Sequence, residues 1–308
     1  MNSISPIVIS TYIRLEHLKK TISALQVNSL ADKSHLFILS DAPKEGDELR
    51  VKKVRNYLKT ITGFAQITLI EREENGRVTN NRGGMRQVLD EYGKLIFLED
   101  DIITAPGFLE YMNLALNKYA NDPKVFSISG YCPPILIPNN YEFDAYFVRR
   151  FNAWGFGIWK DRFDTIQYVS EQRYADFINS EDDVRDFTEN GGVDMLEMLR
   201  VDAAGRIDAL DVKAMFAQYK LDQYTLYPVS SLIQNIGMDG SGLHSSRTRR
   251  FNVAISEKVD SFLLPASMFT ESEIIKEFIK FRRPRLIQKV ASLLRLLREN
   301  FFQDYTNY

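Results

Sequence analysis

Three consecutive carboxylates, Glu99-Asp100-Asp101, follow directly on the apolar run Leu95-Ile-Phe-Leu98. If that run is a strand of a parallel sheet, its C-terminal end opens into the crevice where such sheets bind ligands. Neighbouring carboxylates repel one another unless a cation or hydrogen-bond donors neutralise them. The cation suited to such a place is a hard divalent ion that keeps waters and phosphate oxygens in its shell. Taken alone, the triplet fits a solvated acidic turn opening the next helix equally well, because carboxylates also favour helix N-termini. Two other apolar runs end in polar residues, the first in Ser10-Thr11-Tyr12 and the second in Leu39-Ser-Asp41. Between the third and fourth runs lies Asn80-Asn-Arg-Gly-Gly-Met-Arg86, which sets Arg82 and Arg86 one helical turn apart, both in reach of a diphosphate. Either arginine by itself reads as a solvated surface residue. As a set on one sheet edge, these residues describe a nucleotide cleft.

The elements that must position them repeat one rhythm. Pro6–Thr11, His35–Asp41, Gln66–Ile70, Lys94–Glu99 and Val125–Ser129 are short, β-branched or aromatic apolar runs. Helical spacing predicts helices near 15–25, 46–61, 80–92 and 106–120, the last with Pro106 near its first turn. Continuous apolar strands alternating with amphipathic helices predict an α/β fold with a mainly parallel sheet covered on both faces. After Gly130 the rhythm breaks into a proline-punctuated loop, a strand at 145–150, the aromatic and glycine-rich Trp154-Gly-Phe-Gly-Ile-Trp159, a charged helical region over 170–220 and a late strand at Tyr224–Pro228.

Composition bounds the rest. The 308 residues are 44% hydrophobic and 26% charged, with 39 Lys and Arg against 41 Asp and Glu. That balance describes a globular chain, excludes a disordered one, and argues against nucleic acid as a partner, which needs a cationic excess. One cysteine, Cys132, forms no internal bridge and suits a reducing compartment. No apolar run approaches the roughly 20 residues of a membrane span, and Met1–Pro6 carries no basic-then-apolar leader. The expected location is cytoplasmic.

In order and spacing, Ile7-Val-Ile-Ser-Thr11, Leu39-Ser-Asp41, the arginine-bearing helix and Phe97-Leu-Glu-Asp-Asp-Ile-Ile-Thr-Ala-Pro-Gly-Phe-Leu109 resemble the GT-A nucleotide-sugar glycosyltransferases. The likeness is to the branch that contains N-acetylglucosaminyltransferase I of eukaryotic N-glycan processing and its bacterial relatives. Trp154–Trp159 resembles the loop beneath the donor sugar, and Leu226–His244 resembles the closing strand and loop of the bacterial members. The resemblance covers roughly residues 5–250. It implies a GT-A, Rossmann-like sheet and a metal-dependent hexosyl- or N-acetylhexosaminyltransferase, using Mn²⁺ or Mg²⁺ and a UDP-sugar donor on a glycan or lipid-linked acceptor, as in bacterial surface polysaccharide synthesis. Asp101 would ligate the metal with His244, Asp100 would contact the ribose or sugar, and Asp41 the base. Ser10, Thr11, Tyr12, Arg82, Arg86, Glu99, Trp154 and Gly155 complete the expected nucleotide-sugar contacts. The bacterial relatives open the helix before the closing strand with a Trp-Asp pair whose Asp is the catalytic base. Here that place reads Ala209-Leu-Asp211, with the Asp kept and the tryptophan absent, and Asp208 three residues earlier is the alternative. One base opposite the departing phosphate means in-line displacement and inversion.

The resemblance divides the chain into a nucleotide-sugar-binding half (1–130), an acceptor-binding and catalytic half of the same domain (131–265) and a C-terminal helical tail (266–308). From Lys276 to Arg298 the tail has eight basic residues and one acid. Its apolar positions repeat at helical spacing, which suits docking of 271–298 on an anionic membrane, at the inner face, and equally suits packing on its own domain or on a second subunit. His244, among glycines, reads either as a lid or metal residue or as an ordinary surface or core histidine. Trp154 and Trp159 read as a sugar platform or as core. Three other functions compete. A sugar-phosphate nucleotidyltransferase would show a glycine-rich loop after the first strand, where this chain has Ser10-Thr-Tyr-Ile-Arg14. A carbohydrate-binding module needs no carboxylate triplet, and a glycoside hydrolase needs no nucleotide cleft.

Overall fold

The structure is a computed structural model that describes residues 3–166, 170–241 and 247–283. Its strands are β1 (Ile7–Thr11), β2 (His35–Ser40), β3 (Gln66–Glu71), β4 (Lys94–Glu99), β5 (Ile102–Thr104), β6 (Val125–Ser129), β7 (Ala145–Val148), β8 (Phe156–Trp159), β9 (Tyr224–Pro228) and β10 (Ile233–Asn235). Its α-helices are α1 (Leu15–Gln26), α2 (Glu48–Leu58), α3 (Arg77–Tyr92), α4 (Phe108–Lys118), α5 (Lys160–Phe163), α6 (Glu171–Ile178), α7 (Glu181–Gly191), α8 (Val193–Ala203), α9 (Leu210–Lys220) and α10 (Ser272–Arg282). Eight strands form one sheet in the order β3-β2-β1-β4-β8-β6-β9-β7, and β10 pairs with β5 in a separate two-stranded ribbon. The chain is therefore an α/β protein with a mainly parallel sheet flanked by helices. β3, β2, β1 and β4 are mutually parallel, β6 and β9 are parallel, and β8 and β7 run against their neighbours.

Alternation along the strands explains why they are apolar throughout. Ile7 and Ile9 of β1, Leu36 and Ile38 of β2 and Ile96 and Leu98 of β4 face a core that includes Leu18, Ile22 and Leu25 of α1, Val54 and Leu58 of α2 and much of α4. Their in-between neighbours Val8, Phe37, Leu39, Leu95 and Phe97 face Met85, Val88 and Leu89 of α3 with Ala214 and Ala217 of α9. Both faces are covered, so neither set can be polar. Two close approaches use glycine for its missing side chain. A Cβ on Gly84 would lie 2.3 Å from Leu39 Cδ1, and one on Gly157 would lie 3.0 Å from Met112 and Leu116, so α3 and α4 sit directly on the sheet there.

The segment read as a sugar platform is mostly β8, an interior strand. Trp159 is buried in the core and donates its ring N–H to the Leu116 carbonyl at 3.1 Å. α6–α9 form a satellite core around Phe177, Phe187, Met195, Leu199, Met215 and Phe216. α10 lays Ile274 and Phe278 against Cys132, Tyr146, Val148 and Tyr227 at the β7–β9 edge. The described part of the tail thus turns its apolar face to its own domain. Residues from 284 onward, with the apolar positions that favoured a membrane, lie outside the described residues. Among the described residues no helix is long and apolar enough to cross a membrane.

Candidate active site

β1, β2 and β4 end on one edge, as parallel neighbours must, and carry Ser10–Thr11, Ser40–Asp41 and Glu99 there. The chain leaves β4 through Asp100 and Asp101 and enters β5 at once. The triplet consequently fans out instead of converging, and each member is neutralised differently. Asp100 is buried and accepts from Thr11 Oγ1 at 2.9 Å and the Tyr12 backbone N–H at 3.4 Å, while its own carbonyl accepts from Thr21 Oγ1 at 2.9 Å. Burial and the adjacent Asp101 nevertheless push its carboxyl up to about 6. Asp101 is ion-paired through Oδ2 with Arg14 at 2.6 Å. Glu99, desolvated and facing Asp101 and Asp100, is pushed up to about 8, a shift that Arg77 opposes and Asp211 reinforces. At neutral pH it is mainly a hydroxyl donor.

The other oxygen of Asp101, Oδ1, is buried with no hydrogen-bond partner. A buried orphaned carboxylate oxygen is costly unless something outside the chain engages it. Among the described residues no three His, Cys, Asp or Glu side chains are grouped to hold an ion. The orphaned Oδ1 is the oxygen that Asp101 could offer to a hard divalent cation. His244, the expected second ligand, lies outside the described residues.

The β10–β5 pairing brings the following segment back across this point. Ile236 N–H donates to the Asp101 carbonyl at 2.9 Å, Ser241 Oγ accepts from Arg14 at 2.9 Å, and Asp239 accepts from Ser241 N–H at 2.9 Å while lying 3.2 Å from His17 Nε2. A Cβ on Gly237 would fall 1.9 Å from Asp101 Oδ2, so only glycine lets this segment lie flat on the carboxylate.

Asp211 is the second residue of α9 and accepts from the Val212 N–H at 3.0 Å. Burial raises its pKa, with Arg150 and backbone N–H groups opposing the shift. Asp208 is in the reverse condition. Lys213 and Arg82 both bind its Oδ1, Arg82 at 2.6 Å, and they hold its pKa below the usual carboxylate value. Of the two candidates Asp211 has the environment of a base.

Several expected residues have partners within the chain. Asp41 is buried and accepts from Ala42 N–H at 2.9 Å, Gly76 N–H at 3.0 Å and Asn75 Nδ2 at 3.3 Å, which ties β2 to the loop before α3. Tyr12 braces the loop after β2 by donating to Asp47 at 2.9 Å. Arg82 is committed to Asp208. Arg86 pairs with Asp164 and stacks on Phe163, 5.1 Å from the ring centre, beside α5. Lys160 at the start of α5 donates its N–H to the Gly93 carbonyl just before β4, so Arg86 sits at the opposite end of β4 from Glu99. The cation α3 brings to the crevice is Arg77, nine residues and about 13 Å earlier along the helix. Arg77 is exposed, with no hydrogen bond or ion pair among the described residues. Trp154 is half-buried, edge-on to Tyr131 at 5.2 Å and Phe251 at 5.4 Å. Gly155, with φ +58, packs its Cα side against Ile233 and Leu98. Sequence reasoning passed over Arg14, Arg77 and Gly237. The available signal was position: Arg14 is three residues past β1, and Arg77 opens α3.

No protein family matches the sequence, and no curated protein matches it in sequence. Solved structures share part of the backbone course. S. aureus TarS is 8% identical with a TM-score of 0.39, over 75% of this chain and 36% of that one. GalNAc-T7, solved with UDP, GalNAc and Mn²⁺, is 11% identical with a TM-score of 0.45, over 73% and 41%. A mannosyltransferase from Pyrobaculum calidifontis, solved with GDP-Man and Mn²⁺, is 11% identical with a TM-score of 0.36, over 71% and 69%. The chain thus spans well under half the length of the first two.

Proposed function

We propose that this chain is a metal-dependent glycosyltransferase that moves a sugar from a nucleoside-diphosphate donor, UDP-linked, to a hydroxyl of a glycan or lipid-linked acceptor, with inversion. The observation that carries the reading is the pairing of two unlike carboxylates at one strand-end crevice. Asp101 is paired with Arg14 and has an orphaned oxygen, while Asp211 is half-buried with a raised pKa. Cleaving the bond from anomeric carbon to phosphate builds negative charge on the leaving diphosphate. Arg14 and Arg77 stand at the edge where that charge would form, and their fixed positive charge stabilises it. A divalent ion on Asp101 would supply Lewis-acid stabilisation of the same phosphates. Asp211 takes the acceptor hydroxyl's proton as the oxygen attacks, and its raised pKa makes it a stronger base than an ordinary carboxylate. Glu99, whose carboxyl burial and the neighbouring carboxylates push up, is assigned to the donor side. Ser10, Thr11 and Trp154 border the same crevice and are assigned to the donor side.

The test is a panel of nucleotide sugars scored for nucleotide release with Mn²⁺, Mg²⁺ or excess EDTA. Metal-dependent release with at least one donor, lost in Asp101→Ala, supports the reading. Full activity in EDTA overturns the metal, and hydrolysis of oligosaccharide without a donor overturns the reaction class.

A further inference from the structure

Near the start of α8, two arginines meet. Arg150 follows β7, is fully buried, and grips Asp194 with both fork nitrogens, NH1 to Oδ1 and NH2 to Oδ2, each at 2.8 Å. Arg282, the last residue of α10, stands beside it. Gly192 is the floor between them: a Cβ there would lie 2.9 Å from Arg150 NH1, 2.7 Å from Asp194 Oδ1 and 3.3 Å from Arg282 Cβ. Both Asp194 oxygens are taken by Arg150, so Arg282 has no carboxylate of its own. Its Nε is buried with no partner, and among the described residues it makes no ion pair. Three phenyl rings flank the guanidinium, with Phe251, Phe278 and Phe281 at 5.9, 5.6 and 5.7 Å, and offer it no hydrogen-bond acceptor in the ring plane. Its polar neighbours among the described residues include Arg250, which stacks on the same Phe251 and Phe281 rings, and the Tyr131 and Tyr227 hydroxyls, which burial pushes up in pKa and which donate to the Phe251 and Arg150 carbonyls. The positive end of α8, which starts at Val193, adds to the local field. Burial and the adjacent Arg150 lower the Arg282 pKa to about 10, which leaves it charged at neutral pH.

Among the described residues this cluster holds two guanidinium groups and one carboxylate, Asp194, and the Arg282 Nε has no partner, so it is one negative charge short and suited to an oxyanion. Its place adds direction. Arg150 acts electrostatically on Asp211, so the cluster is coupled to the proposed base.

We propose that Arg282, held in place by Arg150 and Asp194, binds a phosphate group carried by the acceptor, which makes the substrate class of this site a phosphate-bearing acceptor. The proposal rests on the glycosyl-transfer reading for its purpose, although the anion site itself stands without it. The test is calorimetric titration of the intact chain with glucose 1-phosphate, performed with UDP and Mn²⁺ at saturation so that the crevice is filled. Vesicles carrying phosphatidic acid are tested in parallel to separate a soluble phosphate from a lipid headgroup. Binding of either probe should weaken about tenfold or more in Arg282→Gln, the scale of one lost charge-assisted hydrogen bond, and recover in part in Arg282→Lys. A crystal soaked in tungstate should place the anion at the Arg282 edge. No binding of either probe to the wild type, or equal binding by wild type and Arg282→Gln, overturns the proposal. If Arg282→Gln fails to fold, an empty Arg282 edge in tungstate-soaked wild type does so. Should phosphate bind at Arg282 while no nucleotide binds anywhere, the transferase reading fails and the anion site survives.

Discussion

Replacing Gly237 by alanine tests the packing of the site with one methyl group. The new Cβ would lie 1.9 Å from Asp101 Oδ2, 2.7 Å from its carboxyl carbon and 2.9 Å from Arg14 NH1. Ordinary contact begins near 3.4 Å, so the segment or the carboxylate must retreat by about 1.5 Å. The backbone at Gly237 has no left-handed torsion, so the strain is purely one of contact. Two retreats are open, and both are informative. If the segment lifts, the Ile236 N–H bond to Asp101 and the Ser241 contact with Arg14 are lost together. If Asp101 rotates, the Arg14 ion pair breaks. Overpacking of this kind costs about 1–3 kcal/mol, or roughly 2–10 °C in Tm for a chain of this order. Nucleotide release should fall by more than tenfold, with the larger loss at low metal concentration. Thermal melts and a Mn²⁺ titration of turnover read both effects. A Gly237→Ala protein with wild-type Tm and wild-type metal response would refute the placement of this segment on Asp101.

Four further outcomes follow from named contacts. Asp211→Asn should lower kcat by about 10²–10⁴-fold with nucleotide affinity retained, whereas Asp208→Asn should act mainly by freeing Arg82 and Lys213. Kinetics that rank the two the other way move the base to Asp208. Glu99→Gln should stabilise the chain progressively as pH rises: the folded carboxyl keeps its proton to about pH 8 and the unfolded one only to about 4.5, so ionising it weakens the native state across that window. Parallel Tm curves for the two proteins from pH 4 to 9 contradict this. Gly84→Ala should destabilise by driving a methyl into Leu39, while Gly83→Ala next to it meets only Arg72 at 3.4 Å and should gain up to about 1 kcal/mol of helix propensity. Equal chemical-denaturation midpoints for the pair would show that α3 does not sit this close to β2. Cys132, buried with its thiol pushed up to about 12, should resist iodoacetamide at pH 8 until the chain unfolds, as thiol counting with and without denaturant would show.

How much of this was legible in the sequence depends on which force decides each element. β1, β2 and β4 are readable because sheets covered on both faces need apolar residues at every position. β8 is not, because Gly157 sits where Met112 and Leu116 leave no room for a Cβ, and that glycine erases the strand signal. A strand therefore reads as a loop, and Trp159 stays open between sugar platform and core until its burial shows it to be core. Among the site residues, strand ends locate Thr11, Asp41, Glu99, Asp100 and Asp101 on one edge, since parallel register forces it. Helical spacing places Arg82 and Arg86 on one side of α3 but not at the crevice, because spacing carries no information on which end of a helix faces the ligand. α3 starts at the strand-end edge and runs away from it, so its first residue, Arg77, faces the crevice. The choice between Asp208 and Asp211 needed tertiary contacts: Arg82 is 126 residues from the Asp208 it neutralises.

The most direct measurement is sugar transfer by purified protein, followed by the anomeric configuration of the product. Wild type should release nucleotide from a UDP-sugar only with Mn²⁺ or Mg²⁺ and an acceptor hydroxyl, and should give a product of inverted configuration. Asp101→Ala should abolish it and Asp211→Asn should lower it by about 10²–10⁴-fold, with both proteins melting as folded chains. Transfer at the wild-type rate in either variant, or a product of retained configuration, contradicts the assignment of Asp101 and Asp211 to metal and base.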